Sequence, residues 1–348
     1  MGGEPLYYFA QPKGILMRIS DLVKRCVAFV GIHDDSGIRW GGTAFFVNVV
    51  EGGLKFNYLV TAKHLADELP GSDCVIRVNN RQGCTETLEA NDTKWWFHAT
   101  ESEVVDCAVS PIMPKAIGLD VATISHTLFA TPALIEEYGI GIGDEVYIAG
   151  LFSRVTETAR NQPVVRTGNI VMMPDEKIDF PKIGLIDTYL VETKSFGGLS
   201  GCPVFVRHTV STPLSEEPEG PPTGRFKRLY GGGSSYLLGS MIGRWVLPPV
   251  TRARNKASDK AALSEALNYG ISPIVPMYKI MEVINQPELL AMRKVVIEDA
   301  RKKREATAVL DTAFAKSDVQ KTPEGLEIPV PTEDQFLSDL RKVSRKKN

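Results

Sequence analysis

From Cys26 onward the chain alternates short apolar runs with turn residues. Cys26 to Ile32 is apolar, His33-Asp34-Asp35-Ser36-Gly37 turns, Gly42 to Val50 is apolar again, Glu51-Gly52-Gly53 turns, and Lys55 to Thr61 makes a third run. Runs this short and closely spaced predict the strands of an all-β barrel or sandwich rather than βαβ units, in which a helix-length stretch separates the strands. Cys74 to Val78, Glu145 to Ala149, Val164-Val165, Tyr189 to Val191, Val204 to Val206 and Tyr236 to Ile242 continue the pattern, and no internal repeat interrupts it.

After Asn285 the apolar spacing lengthens to a helical period. Pro287 stands where a helix starts, and Leu290, Val296, Ala300, Ala306, Leu310 and Phe314 follow along one face. A proline-containing break, Thr322 to Pro331, precedes Thr332-Glu333-Asp334-Gln335, a capping-box pattern that opens a final helix carrying Phe336, Leu337, Leu340 and Val343. The expected organisation is a lead-in over 1–25 with a short amphipathic stretch at Ile19 to Val23, a β-rich region over 26–285 that divides near 135–145, and a helical tail over 286–348. Two segments depart from the β pattern. Residues 207–235 are rich in Pro, Gly, Ser and Glu, cannot bury enough apolar surface to offset chain ordering, and are expected to form a mobile loop. Arg252 to Leu267 is a second insertion with a helical patch at Lys260 to Leu267.

Composition narrows the function classes. With 348 residues, 43% of them hydrophobic, the chain fills one large or two ordinary domains. A net charge of −2 gives no general attraction toward nucleic acid or an anionic membrane, so neither is expected as a partner. The clusters Arg301-Lys302-Lys303-Arg304 and Arg345-Lys346-Lys347 lie in a tail with nearly as many acids and read as a solvated helix face. Met1 to Tyr8 contains an acid and no apolar core of the length a secretion signal needs, and no window approaches a membrane span. Five cysteines, at 26, 74, 84, 107 and 202, lack the paired spacing of a disulfide framework or zinc site. A reducing cytoplasmic setting is expected.

The chemistry concentrates in three words. Gly198-Leu199-Ser200-Gly201-Cys202-Pro203 places a serine between glycines on a tight turn before a strand, where its hydroxyl can face solvent and backbone N–H groups can converge. Taken alone, this is an ordinary turn. Upstream lie His64, in Thr61-Ala62-Lys63-His64, and Asp106, in Val104-Val105-Asp106-Cys107-Ala108-Val109. A serine needs a base to take its proton, and an imidazole needs a carboxylate to fix its tautomer. Asp120-Val121-Ala122 is a rival for the acid, but Thr123 follows it and Gly118-Leu119 suggests a turn before it. His33, His98, His126 and His208 have no partner pattern and read as surface or structural residues.

The order His, Asp, Ser, with the words T-A-x-H, D-x-A-V and G-x-S-G-x-P, resembles the trypsin-like (chymotrypsin-fold) serine proteases. Gly42 to Val47, Gly143 to Gly150, Gly239 to Gly243 and Gly270 to Pro276 are similar to further strands of that family, so the resemblance covers about residues 26–285. It implies two antiparallel six-stranded β-barrels followed here by a helical extension, and a serine endopeptidase working through His64, Asp106, Ser200 and an acyl-enzyme. It implies an oxyanion hole from the N–H groups of Gly198 and Ser200, and a substrate pocket near Lys194, Ser195, Ser240, Met241 and Gly243. No metal or cofactor is implied. The expected partner is a protein or peptide substrate, with a regulatory protein engaging 207–235 or the tail. The chain departs from the family at Leu199, where secreted relatives carry an acid that pairs with a new N-terminus, and at Cys202, where glycine is usual. Leu65 and Ala66 follow His64, so the disulfide that secreted relatives place there cannot form. A protease-fold binding module without catalysis and a dedicated viral or defence-system protease acting on one partner remain open.

Overall fold

Strands with both faces buried lose the alternation of apolar and polar residues and read as unbroken apolar runs. That is the situation here. The computed structural model describes residues 19–35, 37–68, 74–90, 93–112, 118–150, 160–180, 183–193, 198–207, 235–243, 270–315, 319–321 and 327–329. The insertion 252–267, the final helix expected from Thr332 and all but the ends of 207–235 lie outside them.

The N-terminal half holds helix α1 (Asp21–Arg25), strands β1 (Val27–Asp34), β2 (Gly37–Glu51) and β3 (Leu54–Thr61), helix α2 (Lys63–Asp67), and strands β4 (Cys74–Asn79), β5 (Thr85–Glu89), β6 (Trp96–Phe97), β7 (Ala108–Pro111) and β8 (Ile124–Ser125). They form one sheet in the order β5-β4-β1-β2-β3-β7-β6, with β8 added in parallel to β2. The turn expected over His33 to Gly37 is tighter than its composition suggests, because Asp34 pairs with Gly37.

Helix α3 (Pro132–Tyr138) leads into the second half, with Thr131 as its cap, Pro132 in its first turn and left-handed Gly139 at its end. There β9 (Glu145–Gly150), β10 (Val164–Met172), the small hairpin β11 (Ile178–Phe180) and β12 (Gly184–Ile186), β13 (Tyr189–Glu192), β14 (Pro203–Arg207), β15 (Ser235–Met241) and β16 (Ile271–Pro276) follow. Six of these close an antiparallel barrel in the order β10-β13-β16-β15-β14-β9. The all-β class is therefore observed, with one closed six-stranded barrel, whereas the strands of the first half form a sheet rather than the second barrel expected. The second half has the expected six barrel strands, while the first has eight, because the two-residue strands β6 and β8 join its sheet.

Three packed layers account for the burial. Ala28, Val30, Ala44, Phe46, Leu59 and Ile76 fill the interior of the first half. Their neighbours on the same strands, Val27, Phe45, Val47, Tyr58 and Val60, face the other way and meet Tyr147, Ala149, Phe205, Leu237 and Val275. The residues alternating with those, Val146, Ile148, Val204, Val206, Leu238 and Ile274, fill the barrel. Each fully buried Phe or Leu in these layers contributes roughly 1.5–3 kcal/mol. The middle layer fixes one half against the other, and helix α4 (Met277–Ile284) seals it with Met277, Ile280, Val283 and Ile284.

The chain divides into two compact units, Met1–Leu290 and Ala291–Asn348. Helix α5 (Pro287–Ala315) is one continuous helix of 29 residues, with Pro287 at its start and Glu288 in its first turn. Strands β17 (Val319–Lys321) and β18 (Glu327–Pro329) pair antiparallel, and of the expected break over 322–331 only 327–329 are described. No helix among the described residues is long and apolar enough to cross a membrane.

Candidate active site

Antiparallel pairing of β3 with β7 matches Thr61 to Ala108. The residues just past the end of one strand and just before the start of the other therefore share one edge of the sheet. His64 is in the first turn of α2 and Asp106 lies two residues before β7. Asp106 Oδ1 accepts the backbone N–H of His64 at 2.9 Å, and Oδ2 lies 2.7 Å from His64 Nδ1. A carboxylate so close to Nδ1 requires that nitrogen to carry the hydrogen, which leaves the lone pair of the neutral ring on Nε2. The Asp106 side chain is 8% exposed and that of His64 45%. Burial disfavours the imidazolium, but the Asp106 hydrogen bond and the charges of Asp106, Glu68 and Asp67 outweigh it and hold the His64 pKa above the ordinary 6.5. Asp120 is elsewhere, 2.6 Å from Arg25 Nε and 3.6 Å from Arg160.

The turn before β14 packs against the segment that leads to His64. Gly201 has φ 77°, and a Cβ there would overlap the Thr43 carbonyl and lie 3.0 Å from the Ala62 nitrogen. Three carbonyls of the turn are held by hydrogen bonds. That of Gly198 accepts from Thr43 Oγ1 at 2.9 Å, that of Leu199 from Cys202 N at 3.1 Å, and that of Ser200 from Thr43 N at 3.1 Å. In a planar trans peptide the N–H points opposite its carbonyl, so the bond from Cys202 N to the Leu199 carbonyl fixes the Ser200 N–H on the opposite side of that peptide. Among the described residues the N–H groups of Gly198 and Ser200 have no acceptor. His64 and Ser200 share no hydrogen bond among the described contacts.

Leu199 is 1% exposed and joins the barrel core, as does Cys202. The turn is thus anchored by apolar packing. All five cysteines are free thiols; Cys84 is exposed, and burial pushes the thiols of Cys26 and Cys107 far up.

Of the residues expected around the substrate, Lys194 and Ser195 lie outside the described residues. Gly243 is beside the serine, since a Cβ added to it would stand 3.8 Å from Ser200 Oγ. Ser240 and Met241 are fully buried; Met241 joins the barrel core, while its backbone N–H and carbonyl pair with Cys202 and Gly201. Sequence patterns do not single out Thr43 and Thr61, although both stand inside the quoted words, one after Gly42 and one opening T-A-x-H.

His98, Glu101 and Glu282 bring three possible metal-ligand atoms together. Their atoms are already engaged. His98 Nδ1 accepts the Glu101 N–H at 3.0 Å, its Nε2 donates to Glu282 at 2.6 Å, and Glu101 receives Lys177 at 2.8 Å and Lys279. The two lysines hold the Glu101 pKa down to about 2. The cluster is an ion-pair network. His33 pairs with Glu89 and His126 accepts from the Val50 N–H.

Solved structures with similar folds exist. Deg5 is 15% identical over 55% of this chain and 82% of that one, with a TM-score of 0.35. The HtrA-type protease AlgW with a decapeptide is 12% identical over 76% of this chain and 66% of that one, at 0.40, and an inactive serine-to-alanine form of Rv3671c from M. tuberculosis is 11% identical over 75% and 87%, at 0.38. No protein-family model and no curated protein matches the sequence.

Proposed function

We propose that the chain is a serine endopeptidase. The reading rests on one arrangement: a histidine held at two points by a buried carboxylate, near a serine turn in which the N–H groups of Gly198 and Ser200 meet no acceptor among the described residues. His64 Nε2 takes the Ser200 proton as Oγ attacks the scissile carbonyl, and Asp106 steadies the imidazolium that forms. The developing oxyanion is received by the N–H groups of Gly198 and Ser200. His64 then gives its proton to the leaving amine, and water attacks the acyl-enzyme by the same route in reverse.

A second reading, a binding module with no catalysis, is favoured by the absence of a His64–Ser200 hydrogen bond among the described contacts. A gap of this kind can close when substrate binds. Labelling with a fluorophosphonate, which reacts only with an activated serine, separates the two. The intact protein is expected to label and to hydrolyse peptides, and Ser200→Ala to lose labelling and roughly 10⁴ to 10⁶-fold in turnover while unfolding at the same temperature. A folded wild-type protein that neither labels nor cleaves an unbiased peptide library would exclude the peptidase reading.

A further inference from the structure

Thr43 directs each of its polar groups toward the same junction. Its N–H and Oγ1 donate to the carbonyls of Ser200 and Gly198 at 3.1 and 2.9 Å, and its own carbonyl accepts from Thr61 Oγ1 at 2.8 Å. Thr43 and Thr61 are fully buried. They belong to β2 and β3 of the first half, and Thr61 stands three residues before His64. Gly198 and Ser200 belong to the second half. One chain of hydrogen bonds therefore runs from the strand that presents the histidine to the turn that presents the serine.

We propose that Thr43 is a positioning residue that aligns the Ser200 turn with His64, an inference that rests on the peptidase reading. Gly198 has φ 99°, a conformation in which glycine meets little steric resistance to rotation, so its carbonyl needs a partner to fix the peptide plane. The Thr43 hydroxyl supplies that partner. Its backbone N–H fixes the carbonyl two residues on, and the Ser200 N–H lies between the two anchored points. Misplacement of a reacting group by about 1 Å costs about 10²-fold in rate. Removing the hydroxyl should therefore lower turnover much more than binding.

The test compares the full chain with Thr43→Val, which keeps the shape and loses the hydroxyl, and with Thr43→Ser, which keeps the hydroxyl. Thr43→Val is expected to lose roughly 10 to 100-fold in kcat with KM changed less than about threefold and the acid limb of the pH profile unmoved, because the His64–Asp106 pair is untouched. Thr43→Ser should return to within about threefold of wild type. Hydrogen exchange of the amides in 198–202 should quicken in Thr43→Val and not in Thr43→Ser. A folded Thr43→Val with wild-type kcat, or a Thr43→Ser as impaired as the valine, overturns the proposal. If wild type neither labels nor cleaves, the peptidase reading fails by itself. Exchange then decides the clamp: quickening confined to the valine variant supports it, and equal exchange in all three proteins overturns it. Should Thr43→Val not fold, Thr61→Val carries the same comparison, with a smaller loss of kcat expected and an unchanged kcat overturning the inference.

Discussion

Asp106 holds His64 by its backbone as well as by its ring. The 2.9 Å bond to the His64 N–H fixes where α2 begins, and the 2.7 Å contact with Nδ1 fixes which face of the imidazole looks outward. One buried carboxylate thus sets both the position and the tautomer of the proposed base.

Replacing Asp106 with Asn should separate these roles. The amide oxygen can still accept the backbone N–H, so the fold should persist, while the amide group permits the wrong tautomer. The expected loss in kcat/KM is about 10⁴-fold. Asp120→Asn, which touches Arg25 and Arg160 instead, should stay within about threefold of wild type. Steady-state kinetics on both variants decides between the two aspartates, and severe damage from Asp120→Asn alone would overturn the assignment to Asp106.

The raised pKa of His64 links activity and stability with opposite signs. The base must be neutral, so kcat/KM should rise with an acid limb above pH 6.5. The folded state holds this proton more tightly than the unfolded chain, so the associated stability is fully present below about pH 6.5 and is lost as pH climbs through the raised value. Activity should therefore increase across the window in which this contribution to stability fades. Asp106→Asn should move the acid limb downward. A limb that stays in place in that variant would show that Asp106 does not set it.

Gly201 should tolerate no side chain. Alanine at a left-handed position costs roughly 1–2 kcal/mol, and here the new Cβ would also overlap the Thr43 carbonyl and sit 2.7 Å from Thr61 Oγ1. Gly139 is a fair control, with φ 63° and nothing within 4 Å of the place a Cβ would take. Urea unfolding should give a loss of about 1 kcal/mol for Gly139→Ala and roughly 3 kcal/mol or more for Gly201→Ala. Equal losses would mean that the Thr43–Thr61 junction yields easily.

The strands most legible in the sequence are those buried on both faces, such as Tyr236 to Ile242, and the site words are legible because they combine glycine geometry with rare residue types. What escapes is set by pairing. Strand β10 runs from Val164 to Met172, yet Arg166, Thr167 and Asn169 conceal all but its first two residues. Strand β5, Thr-Glu-Thr-Leu-Glu, is held by β4 and has little apolar signal of its own. Helix α3 carries its own signals in Thr131, Pro132 and Gly139. Thr43 and Thr61 are out of reach for another reason, because their importance lies in which carbonyls they meet, and those belong to residues more than 100 positions away in Gly198's case.

Glu101 joins both halves through charge. Its carboxylate receives Lys177 at 2.8 Å and Lys279, while Asp187 lies 3.6 Å from each lysine. Lys279 is only 11% exposed, so Glu101→Gln would leave a largely buried ammonium with its weaker partners, Glu282 and Asp187. The expected cost at neutral pH is about 1–3 kcal/mol. The folded pKa of Glu101 is lowered to about 2 from 4.5, so its contribution is fully present above about pH 4.5 and is lost as pH falls toward 2. The difference in stability between wild type and Glu101→Gln should accordingly be constant from pH 7 to 5, shrink between pH 4.5 and 2, and approach zero at the acid end. Denaturant midpoints measured across that range test the prediction, and a difference that does not change with pH would assign the cost to packing rather than to the charge of Glu101.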